Sequence, residues 1–169
     1  FLVVTFFTFF FNDNFKFDNY TIVEPDQKFC KTMEHTFSNL GLENTSIYNG
    51  YLENMDIKLF DTILYIDVME HLEEDSKEIN IAKNYLNTNG RIIVLSPAHN
   101  YLFSAFDSSI GHVRRYNKES IKCLCPEDMS IEKVMYLDSS GFLLSLANRL
   151  LLKSSYPNRK QIYIWDKFF

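Results

Sequence analysis

"DTILYIDVMEHLEED", Asp61 to Asp75, decides how the rest of the chain is read. The run Thr62-Ile63-Leu64-Tyr65-Ile66 is short, apolar and rich in β-branched and aromatic residues, and acids follow it at once. That is the pattern of a strand buried on both faces of a parallel sheet. Asp67 stands where the apolar run stops, and Glu70 and His71 come within one turn of it. Open α/β sheets hold their ligands outside the carboxyl ends of the strands, so function is sought at Asp67 and just beyond.

Working outward, helix and strand take turns. Strands are expected at Tyr20–Glu24, Ser46–Gly50, Phe60–Asp67 and Arg91–Ser96. A helix is expected through "DQKFCKTMEHTF", Asp26 to Phe37. A second is expected over Glu73–Leu86, with apolar Ile79, Ala82 and Leu86, acids in the first turn and Asn89-Gly90 as the stop. Pro97 closes the fourth strand, and a loop of about twenty residues, long enough to suggest a lid, leads to a short helix near Asn117. "IEKVMYLD" (Ile131–Asp138) reads as a last strand and "GFLLSLANRLLLK" (Gly141–Lys153) as a last helix. Such alternation implies a mostly parallel α/β sheet with helices on both faces, in one domain over residues 1–169.

Composition narrows the classes of function. The chain is 46% hydrophobic with a formal net charge of -5 and no basic stripe, which favours a small-molecule partner over nucleic acid. Cys30, Cys123 and Cys125 are odd in number and lack zinc-ligand spacing, so neither a disulfide framework nor a structural metal is expected and a reducing cytoplasm fits. "FLVVTFFTFFF", Phe1 to Phe11, is apolar, but no basic segment precedes it and no cleavage site follows, and it is too short for stable membrane insertion. The Phe at the start and "WDKFF" at the end read as the edges of a fragment.

The expected strand ends carry Glu24, Asn49, Asp67, Ser96 and then His99, all on one rim. Glu24, just before Pro25-Asp26, stands where nucleotide-binding α/β folds hold two ribose hydroxyls with one carboxylate. The competing reading is an acid that caps the next helix, a role for which Asp26 is better placed. Beyond Ser96, His99, Asp107, His112 and Arg114-Arg115-Tyr116 cluster on the long loop. Either the arginines bind an anionic acceptor, or they tie the loop to the body through Asp107, Glu119 or Asp128.

"YIDVMEHLEED", "LNTNGRIIVLSPAH", "LFSAFDSSIGHVRRYNKESIKCL" and "YLDSSGF" together resemble the class I S-adenosylmethionine-dependent methyltransferases with D-V-x-E-H and G-H-x-R-R-Y elements. The likeness runs from Tyr20 to Phe169. It implies a Rossmann-like seven-stranded sheet, S-adenosylmethionine held across the first four strand ends, and metal-free methyl transfer to a small-molecule or lipid-like acceptor. By this carry-over Glu24, with Pro25 and Asp26, holds the ribose; Tyr51 and Leu52 flank adenine; and Asp67-Val68 border the methionine part. His71 either contacts the cofactor or bonds a backbone carbonyl. His112 is the candidate base, and His99, Arg114, Arg115 and Tyr116 are the acceptor-side residues. One departure counts against activity. The glycine-rich turn after the first strand has no counterpart, for the first of the five glycines is Gly41. A non-catalytic fragment or pseudoenzyme that keeps the fold is therefore the alternative.

Overall fold

The computed structural model describes residues 18–42 and 44–137. They belong to two compact units that divide between Lys58 and Leu59, and each contains one parallel β–α–β element.

In the first unit, β1 (Tyr20–Glu24) leads to α1 (Gln27–Leu40) and then to β2 (Thr45–Asn49). The strands pair in parallel from Tyr20 opposite Thr45 to Glu24 opposite Asn49. Asp26 starts the helix by accepting from Lys28 N at 2.7 Å and Phe29 N at 3.4 Å, satisfying amides that have no partner inside a helix. Cys30, Met33 and Phe37, on one helical face, are buried. The helix runs three residues past Phe37 to Leu40, where Gly41 takes the left-handed conformation at φ 67° and donates its N–H to the Phe37 and Ser38 carbonyls. The end was set by the αL cap, a backbone feature that the side-chain period does not carry.

The second unit contains β3 (Phe60–Ile66), α2 (Asp75–Ala82) and β4 (Leu86–Leu95). From Thr62 opposite Arg91 to Ile66 opposite Leu95 the strands pair in parallel. The second helix is shorter than expected: it ends at Ala82, a 3₁₀ turn covers Lys83–Tyr85, and Leu86 already belongs to β4. Asn89-Gly90 is thus not a helix stop. It lies in an irregularity of β4 where the pairing jumps from Phe60–Leu86 to Thr62–Arg91, with Asn89 at φ 65°.

Nor is β3 buried on both faces: Tyr65 is buried and donates to Glu78 Oε1 at 2.7 Å, but Leu64 and, on β4, Ile93 are 38% and 48% exposed. An apolar strand sequence reports what a face can bury; the covering layer is a tertiary matter.

The segment after β4 is not an open loop. A 3₁₀ turn covers Asn100–Leu102, α3 spans Ala105–Ser109, Ala98 bridges Tyr116 in parallel, and α4 (Lys118–Lys122) begins after the Asn117 cap. Residues 131–137, expected as strand, form none. The expectations for Phe1–Phe11 and Gly141–Lys153, including the place of a first strand and glycine turn, lie outside the described residues. Among the described residues there are four strands in two parallel pairs, and no helix is long and apolar enough to cross a membrane.

At Gly41 a Cβ would meet nothing within 4 Å, so substitution there tests backbone conformation alone. Gly41→Ala should lower stability to urea by about 1–2 kcal/mol, the penalty of a left-handed L-residue, with Gly41→Asn losing less. An unchanged midpoint for the alanine variant would contradict the cap.

Candidate functional site

The site of the second unit grows from the end of β3. Asp67 follows the strand at φ 50°, a left-handed conformation that Asp tolerates better than most residues, and its N–H donates to Leu95 O at 2.9 Å. The chain then makes a 3₁₀ turn over Met69–His71, which places the Met69 and Glu70 side chains wholly inside. Glu70 Oε2 accepts from Ser96 Oγ at 3.0 Å and its carbonyl accepts from Val113 N at 2.8 Å, joining the ends of β3 and β4 to the later segment. Glu70 Oε1 is buried and has no hydrogen-bond partner among the described residues. Burial pushes the Glu70 carboxyl up, with the Asp67 charge adding, against the pull of backbone and Ser96 hydrogen bonds and His112. Asp67 is likewise raised by the packed surroundings on its inner side, and the charges of His112 and His71 oppose that rise.

Two buried carboxylates organise the segment opposite. Asp107 accepts from Arg115 Nε at 2.7 Å and Nη2 at 3.0 Å, a bidentate pair. It also accepts from Ser104 N at 2.9 Å and Oγ at 3.0 Å, closing a capping box, and stands 3.1 Å from His112 Nδ1. Burial alone would raise this carboxyl, but Arg115, through hydrogen bond and charge, outweighs it with help from His112 and Ser104, and Asp107 lies below the usual range. Asp75 accepts from Arg114 Nη1 at 2.7 Å and from the Tyr116 hydroxyl at 2.8 Å, while that hydroxyl also lies 3.0 Å from Met69 O. Burial and the bond to Asp75 push the Tyr116 phenol up, so it stays a neutral donor.

The histidines close the cluster. His71 Nδ1 lies 3.1 Å from Gly111 O, and its ring meets His112 edge-on with centroids 4.7 Å apart. His112 Nε2 is 3.8 Å from Glu70 Oε1, and the His112 side chain is 9% exposed.

The structure thus brings His71 and His112 together with Glu70 after β3. His71 bonds the carbonyl of Gly111, forty positions away in sequence. Both arginines are tied: Arg115 to Asp107, as that alternative foresaw, and Arg114 to Asp75, which it did not. Asp128 pairs instead with Lys83 at 3.0 Å. Asp75 escaped notice because a first-turn acid already has a sufficient explanation in the helix dipole. Val68 is 38% exposed. His99 sits at φ 65°, donates its N–H to Tyr116 O at 2.7 Å and stacks on Tyr136 at 4.6 Å between centroids.

The first unit offers a separate polar strand end. Glu24 Oε1 accepts from Asp26 N at 2.8 Å, and Asn49 Nδ2 donates to the carbonyls of Glu24 and Pro25 at 3.0 Å each, so the tips of β1 and β2 are locked together. Tyr51, which follows β2, is 63% exposed, whereas Leu52 opens a 3₁₀ turn and is buried.

No family model and no curated protein matches the chain. Solved structures do. The YcgJ protein of Bacillus subtilis superposes with a TM-score of 0.56 at 15% identity, over 63% of this chain and 50% of that one. A Bacillus halodurans protein provisionally described as a methyltransferase gives 0.56 and 15%, over 68% of this chain and 53% of that one. The chain is similar to both in fold, an α/β Rossmann-like architecture, and spans about half the length of each.

Asp107 supports an acid-stability prediction. Its carboxyl is depressed in the folded state, so its contribution is complete above the unfolded Asp value of about 4 and is lost as pH falls below it. Asp107→Asn, which leaves Arg115 buried without its ion partner, should cost about 3–5 kcal/mol near neutral pH and flatten the acid limb of a stability–pH curve. Equal stability of the two proteins at pH 7 would remove Asp107 from its central place.

Proposed function

We propose that the chain is part of an S-adenosylmethionine-dependent methyltransferase acting on a small-molecule or lipid-like acceptor. The observation that carries this reading is the carboxylate at the carboxyl end of β1, held at the mouth of a parallel β–α–β element whose strands end on Glu24 and Asn49. The fold likeness supports it. The residues present fit the cofactor's ribose: the Glu24 side chain is half-buried, and among the described residues its hydrogen bond from Asp26 N engages Oε1. When bound, S-adenosylmethionine supplies an electrophilic sulfonium methyl group.

The chain's residues then divide the work. Glu24, in the setting of Pro25 and Asp26, accepts from the ribose hydroxyls, and the exposed Tyr51 offers a ring for adenine to stack on, beside Leu52. Asp67, Val68 and His71 serve the methionine end. On the acceptor side, Asp107 fixes His112 Nδ1, so His112 acts through Nε2. His99 and Arg114, each partly accessible, contact the acceptor, while Arg115 and Tyr116 position the segment that carries them. Orientation and exclusion of water supply much of the rate in such a transfer. Free Cys30, Cys123 and Cys125 fit a reducing cytoplasm, and the acidic net charge of -5 disfavours nucleic acid as partner.

One observation favours the non-catalytic alternative: residues 1–40 of the sequence hold no glycine to form the amide cradle that such cofactors use.

Calorimetry separates the two. On the methyltransferase reading the protein binds S-adenosylmethionine, and Glu24→Ala weakens that binding by about 1.5–3 kcal/mol, the scale of hydrogen bonds to a charged group. Affinity unchanged by the substitution would take Glu24 out of the site, and no heat of binding in the parent protein would favour the non-catalytic fold.

A further inference from the structure

We propose that Glu70, His71 and His112 bind one divalent cation of the zinc type; the ion would occupy His71 and His112, which the methyl-transfer reading uses as metal-free groups, so this inference departs from the metal-free chemistry implied by the sequence resemblance. One donor atom of each residue lies within 4.8 Å of the other two. The hydrogen bonds fix what those atoms present. His71 Nδ1 faces the Gly111 carbonyl at 3.1 Å, and a carbonyl can only accept, so Nδ1 carries the hydrogen and Nε2 keeps its lone pair. His112 Nδ1 faces Asp107 at 3.1 Å, a carboxylate kept ionised by Arg115, so the same tautomer follows.

The third donor is Glu70 Oε1, fully buried and without a hydrogen-bond partner among the described residues, 3.8 Å from His112 Nε2. That separation is too long for an N–H···O bond, which spans about 2.7–3.2 Å. It is within the reach of one ion lying about 2.0–2.2 Å from each donor. A single cation would satisfy the orphaned oxygen and both nitrogen lone pairs at once, removing the penalty of a buried acceptor left unpaired. The outer partners are of the right kind: histidines on a metal give their second N–H to a carboxylate or a backbone carbonyl, as His112 and His71 do here. Two imidazoles with one carboxylate suit zinc and its neighbours in the transition series, whereas calcium and magnesium prefer all-oxygen sites. Three protein ligands leave a coordination position for an outside oxygen ligand.

The 169-residue chain, stripped with a chelator and titrated with zinc against a chromophoric competitor, should bind one equivalent. Glu70→Gln, which keeps the side chain's shape, and His71→Ala should each weaken binding at least about tenfold. His35→Ala, on the exposed face of α1, should leave it unchanged. Circular dichroism and thermal melting without zinc establish that the variants fold. If one does not, X-ray absorption at the zinc edge of the parent protein decides: nitrogen and oxygen ligands with imidazole scattering are expected, and sulfur ligands would place the ion on cysteine and overturn the proposal. No zinc uptake by the parent protein, or uptake undiminished in both variants, would overturn it equally. The titration contains no S-adenosylmethionine, so its failure and that of the Glu24 reading are told apart.

Discussion

The ion pair between Asp107 and Arg115 is the constraint on which the second unit's site depends. A carboxylate with no exposed surface, bound twice by a guanidinium, persists because every hydrogen bond it can accept is filled: Arg115, Ser104 and His112 supply them. The pair joins both ends of a nine-residue stretch, Asp107 to Arg115, and so closes the turn that carries Gly111 and His112. Asp75 does the same over a longer range, drawing Arg114 and Tyr116 onto the N-terminus of α2. The adjacent residues Arg114, Arg115 and Tyr116 therefore serve two buried acids, and one segment is fastened to two places.

This arrangement changes how the end of β3 is understood. The turn after an apolar strand would normally face solvent, yet Met69 and Glu70 are fully enclosed because the braced segment lies over them, with Val113 N on Glu70 O and the Tyr116 hydroxyl on Met69 O. Polar bonds thus create the burial here. The result is a cluster of two imidazoles and an acid in which all outward-facing bonds are made by protein groups and the inward-facing atoms are left with each other. Such an arrangement is chemically poised for a ligand or ion.

The sequence by itself determined the types and order of the elements from β1 to β4. Tyr20–Glu24 forms the expected strand without adjustment, since its β-branched residues and the capping Asp26 leave no competing local structure. Asp26 as helix cap and Asn117 as the residue before α4 were legible, because caps are local chemistry. Tertiary structure decided the rest. It ended α2 at Ala82 because strand pairing claimed Leu86 and displaced Asn89-Gly90 into a bulge, and it left Leu64 and Ile93 partly exposed, since apolar sequence cannot say which layer covers it. It also chose Asp75 and Asp107, from several acids of similar standing, as the partners of the arginines, and set Glu70 Oε1 3.8 Å from His112 Nε2. Residues about forty positions apart meet through the packing of the chain between them, and no local pattern encodes that distance.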